Sequence, residues 1–370
     1  MKNLFLPSSL AVLLLTLTLH LRAEVVMTDP LGFNKVTCLT DSDTIVAVPF
    51  RPEGSVNTQL SGDPTVNGDS ATLTLSLNSL DPALNTNYVK FSSGTRDGRW
   101  YDITTNTSNS VTIDLNGDNL TGVTSGDSVV IAKYWTLDTL FPPNQATTAW
   151  TEDGGEQIPN GHAIVESPGA RAFERRTEVL LPDLAGLGIN RGISGIYIIH
   201  DNQWKILEND VNPAGDVILY PDITLTIRHP DDVDHPTVFR NAGEVLVDSF
   251  TIPLSTQSDG DRDNHIGLLR PVDVTLTKLN LWESGAFVQS LGDRAFERRD
   301  ILLIFDNSLQ SINKSIDITY YHDGNSWLTT EDNGDTNRDD DIIPAGSGFI
   351  IRKHQTDAGE TAFWQNIPSY

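Results

Sequence analysis

Carboxylate is the commonest reactive group in this chain, which carries 50 acidic residues against 25 basic ones among its 370. Three acidic runs place oxygen donors at alternate positions: Asp114-x-Asn116-x-Asp118, Asp259-x-Asp261-x-Asp263 and Asp335-x-Asn337-x-Asp339. Calcium recruits hard oxygen donors from loops of this kind. The last run is the richest, since Asp340 and Asp341 extend it, so Asp335, Asn337, Asp339 and Asp341 are the candidate metal ligands and calcium the candidate cofactor. None of the runs completes an EF-hand, because Ser125, Arg270 and Gly346 stand where a bidentate Glu is needed. In so acidic a chain, solvated turns carry the same pattern.

The segment His229-Pro230-Asp231-Asp232-Val233-Asp234-His235 offers two imidazoles and three carboxylates, donors that zinc uses, although a polar linker has the same composition. No Gly-x-Ser-x-Gly elbow, P-loop or dinucleotide fingerprint is present, and no catalytic residue is assigned. Paired acids of the glycosidase kind need a set separation in a cleft, which spacing along the chain does not reveal. Trp204 and Trp327 come after similar His-Asp turns. They are expected to plug a β core, with exposed stacking platforms for sugar rings as the alternative.

The elements that must position these groups read as strands. Apolar residues alternate with polar ones at Leu73-Leu75-Leu77, Val111-Ile113-Leu115, Ile223-Leu225-Ile227, Val272-Val274-Leu276 and Ile316-Ile318-Tyr320. Turn dipeptides such as Asn67-Gly68, Asn116-Gly117, Asp323-Gly324 and Asn333-Gly334 separate such runs. The best helical candidate, Leu184 to Ile189, contains two glycines. The fold class is all-β.

The hexapeptide RAFERR occurs at Arg171 to Arg176 and again, unaltered, at Arg294 to Arg299. The segments downstream of each copy match too: Val179 to Asp183 with Leu302 to Asp306, His200-Asp201 and Trp204 with His322-Asp323 and Trp327, and Ile227-Arg228-His229 with Ile351-Arg352-Lys353-His354. Upstream, Asp43 to Pro49 resembles Asp248 to Pro253, and Trp135 resembles Trp282. These matches predict two diverged repeat units, each a sandwich or barrel: 24–230, with a small β-barrel-like insertion at about 56–133, and 248–370, joined by a linker at 231–247. RAFERR is predicted to be a strand with Phe173 and Phe296 as core anchors and Glu174 paired to Arg176 or to a cross-strand cation. The rival reading makes its arginines sites for anionic glycans.

Residues 1–23 have the pattern of a signal peptide, with Lys2, an apolar stretch from Leu10 to Leu19, and Ala23 at the cut. No later segment is apolar enough to predict a transmembrane span. The protein is therefore expected to be exported, to the periplasm, cell surface or exterior. A single cysteine, Cys38, permits no internal disulfide. The formal charge of −25 excludes nucleic acid as a partner, because phosphate backbones are bound by excess Lys and Arg.

The stretches Asp43 to Phe50, Tyr134 to Pro142, Arg176 to Pro182 and Phe349 to Arg352 resemble the signature of a family of uncharacterised exported bacterial β-rich proteins. That resemblance implies export and a β-rich fold, and no activity. The function expected is that of a non-catalytic envelope or extracellular binding or structural protein, whose partner is a cell-surface glycan or an envelope protein. The alternative is an enzyme acting on extracellular polysaccharide.

Overall fold

The computed structural model describes residues 30–145, 150–153, 156–159, 163–207 and 209–368, so the leader predicted at residues 1–23 lies outside the described residues. The chain is all-β, built from antiparallel sheets, with a single four-residue α-helix, Leu137–Leu140, among the described residues. The helical turn expected at Leu184 to Ile189 is instead an irregular loop, as its glycines allow.

Apart from one extra edge strand in the first, the two halves share a strand order. The first sheet runs Asn209–Pro213, Gln203–Ile206, Ile193–His200, Glu178–Pro182, Thr224–His229, Ser42–Ala47. The second runs Trp327–Thr329, Ile318–His322, Ile301–Ile304, Gly348–Lys353, Arg262–Gly267. Each half also has a hairpin-like pair: Leu31–Cys38 with Thr237–Val245, and Phe250–Ser255 with Thr361–Asn366. Each half packs its own core, with Val179, Ile227 and Trp204 buried in one and Leu302, Ile351 and Trp327 in the other.

Pairing register corrects several expectations. Residues 231–247 are not a linker, because Thr237–Val245 pairs along the whole of Leu31–Cys38 and completes the first half. Asp43 corresponds to Asp263 and not to Asp248, since strand Ser42–Ala47 and strand Arg262–Gly267 hold the same sheet position, each facing the Ile-Arg strand. Trp135 corresponds to Val274 and not to Trp282, since each begins a short strand paired just before the last sheet strand. Trp204 lies opposite Ile199, and Trp327 opposite His322. The two His-Asp turns are therefore one residue out of step.

RAFERR is a turn and not a strand. Ala172–Glu174 forms one turn of 3-10 helix, and the Glu174 side chain accepts the N–H of Arg171 at 3.2 Å. Glu297 does the same for Arg294 at 3.4 Å. A Cβ on Gly169 or Gly292 would collide with these carboxylates, so the glycine two residues before each hexapeptide leaves the space that the cap occupies. Ser167 Oγ and Ser290 Oγ accept the N–H of Arg176 and Arg299, both at 3.0 Å, and aim the chain into the next strand. Phe173 is 71% exposed and Phe296 79%, so neither anchors a core.

Between Arg51 and Tyr134 the first half carries a seven-stranded sheet, in the order Val56–Gln59, Ser128–Lys133, Asn87–Phe91, Trp100–Asn106, Ser110–Asp114, Ser70–Thr74, Thr65–Asn67. It curls so that Leu60 bridges Leu75, with Ser61 N–H donating to Thr74 O at 2.8 Å and Ser76 N–H to Gln59 O at 2.9 Å. Leu73, Phe91, Val111 and Ile113 fill its interior. This half-barrel occupies the place of the small β insertion expected at 56–133, and the second half passes from Gly267 to Val274 without one.

Leu31–Tyr370 forms one compact unit. Lys90, fully buried, donates to Asp248 Oδ2 at 2.5 Å and to Ser249 O at 3.0 Å, fastening the half-barrel to the second half. The halves themselves join edge to edge. Ala47 N–H donates to Gly346 O at 2.8 Å, and Gly267 N–H to Asp222 O, also at 2.8 Å. A Cβ on Gly267 would lie 2.6 Å from Ile223 O, too close for any other residue.

Candidate functional site

A cleft of about 870 Å³ opens where the half-barrel meets both halves. Trp100 and Asp102 enter from the half-barrel strand Trp100–Asn106, and Tyr220 and Asp222 from the turn before strand Thr224–His229. Arg262 and His265 come from the edge strand Arg262–Gly267, and Arg191 from the loop that crosses to it. Phe363 closes one side, with the Arg99 guanidinium 3.5 Å above its ring.

An aromatic wall positions the half-barrel side. Trp100 packs at 5.9 Å from Tyr88 and from Tyr220, and Tyr134 lies 5.6 Å from Tyr220. Tyr134 donates its hydroxyl to Asp102, which fixes that carboxylate at the cleft wall. Burial pushes the Asp222 carboxyl up to about 6, so near neutral pH this acid still takes up protons. Among the described residues no side-chain partner holds it, whereas its own carbonyl accepts the Gly267 N–H.

The floor is cationic. Arg191 donates Nη1 to Asp263 O at 2.8 Å, but its Nε and Nη2 are buried and meet no acceptor. Arg262 Nε and His265 Nε2 are buried without partners in the same way. Burial, and then the neighbouring Arg262, lower the Arg191 pKa; burial, and then Arg191, take His265 down to about 4. Asp183 and Asp263 offset this only in part from a distance, the Asp263 carboxylate itself being held by Arg352 at 2.6 Å and by the Asn190 N–H at 2.7 Å.

The predicted calcium ligands make hydrogen bonds to neighbouring strands and to one another. Asp339 accepts the Trp327 N–H at 2.8 Å and the Asn337 amide at 3.1 Å, Asp341 accepts the Tyr320 hydroxyl at 2.8 Å, and Asp335 is exposed. In the other runs Asp118 holds Arg99 at 2.5 Å, Asp263 holds Arg352, and Asp261 faces His354 at 3.0 Å. Among the described residues no group of three or more His, Cys, Asp or Glu side chains is placed to hold a metal ion. His229 is buried between Thr177 at 3.1 Å and Thr237 at 2.7 Å, so both its nitrogens are occupied and it is not free to bind zinc. Trp204 and Trp327 are core residues, each 1% exposed.

The arginines and acids of the cleft leave no local mark in the sequence because six separate segments contribute them: Arg99 with Asp102, Asp114 with Asp118, Arg191, Asp222, Arg262 and Glu360. Only the strand alternation around His265 is a local signal. Comparison of the chain with family models, with curated proteins and with solved structures returned no match.

Proposed function

We propose that this chain is a non-catalytic exported binding protein of the envelope or exterior, built on a duplicated β unit, whose inserted half-barrel completes a cleft for an extracellular glycan. The observation that carries this reading is the cleft itself. An aromatic wall of Trp100, Tyr220 and Phe363 faces polar groups from both halves in a space of about 870 Å³, and sugars are held by apolar ring faces together with a few placed polar groups. The half-barrel is fastened by the buried Lys90 and by the tilted packing of Trp100 on Tyr220, so the cleft is largely preformed. Preformed sites lose little entropy on binding.

A second reading, hydrolysis of an extracellular polysaccharide, is favoured by one specific observation. Asp222, pushed up to about 6, shares the cleft with Asp102, and a raised carboxyl sharing a cleft with a second carboxyl is the pairing that glycoside hydrolysis uses. A glycan array probed with the protein, followed by a reducing-end assay on each hit, separates the two. Binding without release of reducing ends is expected; release that disappears in Asp222→Asn would establish the enzyme, and an array without hits would remove the binding reading.

A further inference from the structure

In a chain with two acids for every base, two adjacent arginines that close no ion pair, with Asp183 and Asp263 acting on Arg191 only from a distance, are an anomaly. Arg191 and Arg262 are close enough for each to oppose the other's charge. Neither makes an ion pair within 4 Å among the described residues, and three of their nitrogens are buried with no acceptor. The two contacts they do make go to main-chain carbonyls: Asp263 O at 2.8 Å and Leu184 O at 3.5 Å. His265 Nε2 adds a fourth unpartnered buried nitrogen to the same floor. Buried guanidinium donors left unmade cost more than a neutral group in the same place, so this cluster calls for an acceptor from outside the chain.

We propose that Arg191, Arg262 and His265 form an oxyanion subsite in the cleft, and that the ligand is an acidic saccharide whose carboxylate or sulfate occupies it. This rests on the glycan-binding reading. Guanidinium forks match the geometry of such groups, and in a shielded site the paired charges gain most. The aromatic wall of Trp100 and Tyr220 receives the ring face of the same sugar, while the excess of acid over the rest of the surface rejects anions that the subsite does not capture.

Calorimetric titration with three trisaccharides tests this: trigalacturonate, its neutral carboxyl-reduced counterpart, and a sulfated form of the latter. At least one acidic form is expected to bind about tenfold more tightly than the neutral one. Whichever of the two is tighter names the occupant. In Arg191→Gln/Arg262→Gln the preference is expected to vanish, with neutral binding retained. Should that pair unfold, Arg262→Gln alone carries the test, because its side chain holds only the one long contact to Leu184. Equal binding of acidic and neutral forms, or a preference that survives the substitutions, overturns the subsite and leaves the cleft reading standing. Binding of none of the three overturns both.

Discussion

Asn313 of the second half donates its backbone N–H to the carboxylate of Asp43 in the first half at 2.8 Å, and Asn190 of the first half does the same to Asp263 of the second at 2.7 Å. Both asparagines sit in the left-handed region at φ 53°, which Asn tolerates better than most residues. Each acceptor is already clamped by an arginine of its own sheet, Arg228 on Asp43 and Arg352 on Asp263, both at 2.6 Å. The loop of each half thus completes the buried ion pair of the other. Asp43 N–H to Ser311 O at 2.9 Å and Asp263 N–H to Gly188 O at 3.1 Å repeat the exchange.

These reciprocal contacts make the inter-half seam a principal source of stability. Asp263 is fully buried, so Asp263→Ala strands the Arg352 guanidinium and is expected to destabilise by about 3 to 5 kcal/mol. Urea denaturation measures this, and a loss below about 1 kcal/mol would mean that the pair is not closed in solution.

RAFERR should respond to substitution as a capped turn. Phe173→Ala and Phe296→Ala are each expected to change stability by no more than about 0.5 kcal/mol, since the rings are exposed. Glu174→Ala, which removes the cap, should cost about 1 kcal/mol. Thermal melts of the three variants check the order; a larger loss from either phenylalanine would contradict the turn.

The two halves satisfy one buried position differently. Thr177 meets His229 in the first half at 3.1 Å, and Asp300 meets Lys353 at the same sheet position in the second. Lys353→His alone leaves a buried carboxylate beside a poor partner and should cost about 3 kcal/mol or more at neutral pH. Adding Asp300→Thr installs the first half's pair, and it should recover at least half of that loss. A double variant less stable than the single one would show that the positions are not interchangeable.

Acid should loosen the first half. Burial lowers His229 to about 4 from 6.5, so the unfolded chain takes a proton before the folded one does. The stability that His229 lends by remaining neutral is present above the unfolded value and is lost as pH falls from about 6.5 toward 4, by roughly 3 kcal/mol in all. Asp222, raised to about 6, acts in the opposite sense over part of that window, because the folded state gains its proton first. Stability measured against pH in the parent and in His229→Gln should show a shallower acid limb in the variant; identical slopes would contradict the assignment.

The strands and turns are legible in the sequence because their signals are local. Alternation at Val111, Ile113 and Leu115 puts all three in the half-barrel core, and Asn116-Gly117 and Asn333-Gly334 supply the positive φ values their turns require. RAFERR misleads because alternation also fits a six-residue turn. The discriminating cue is the Glu three residues after the first Arg, able to reach back to the turn's opening N–H. The partners of Asp43 and Asp263 lie 185 and 89 residues away along the chain. Such register is set by sheet pairing and cross-loop contacts, so the upstream sequence match falls on the wrong aspartate. The cleft is the least legible feature, since two similar halves and an insertion meet there and none of the three encodes it alone.

Hydrogen–deuterium exchange of the protein with and without saturating acidic trisaccharide locates the bound glycan. Slowed exchange is predicted, confined to the segments that line the cleft, at 99–102, 114–118, 184–191, 220–223, 251–255, 262–266 and 360–363. Protection centred on 171–176 and 294–299 would place the glycan on the RAFERR arginines and contradict a ligand site in the cleft.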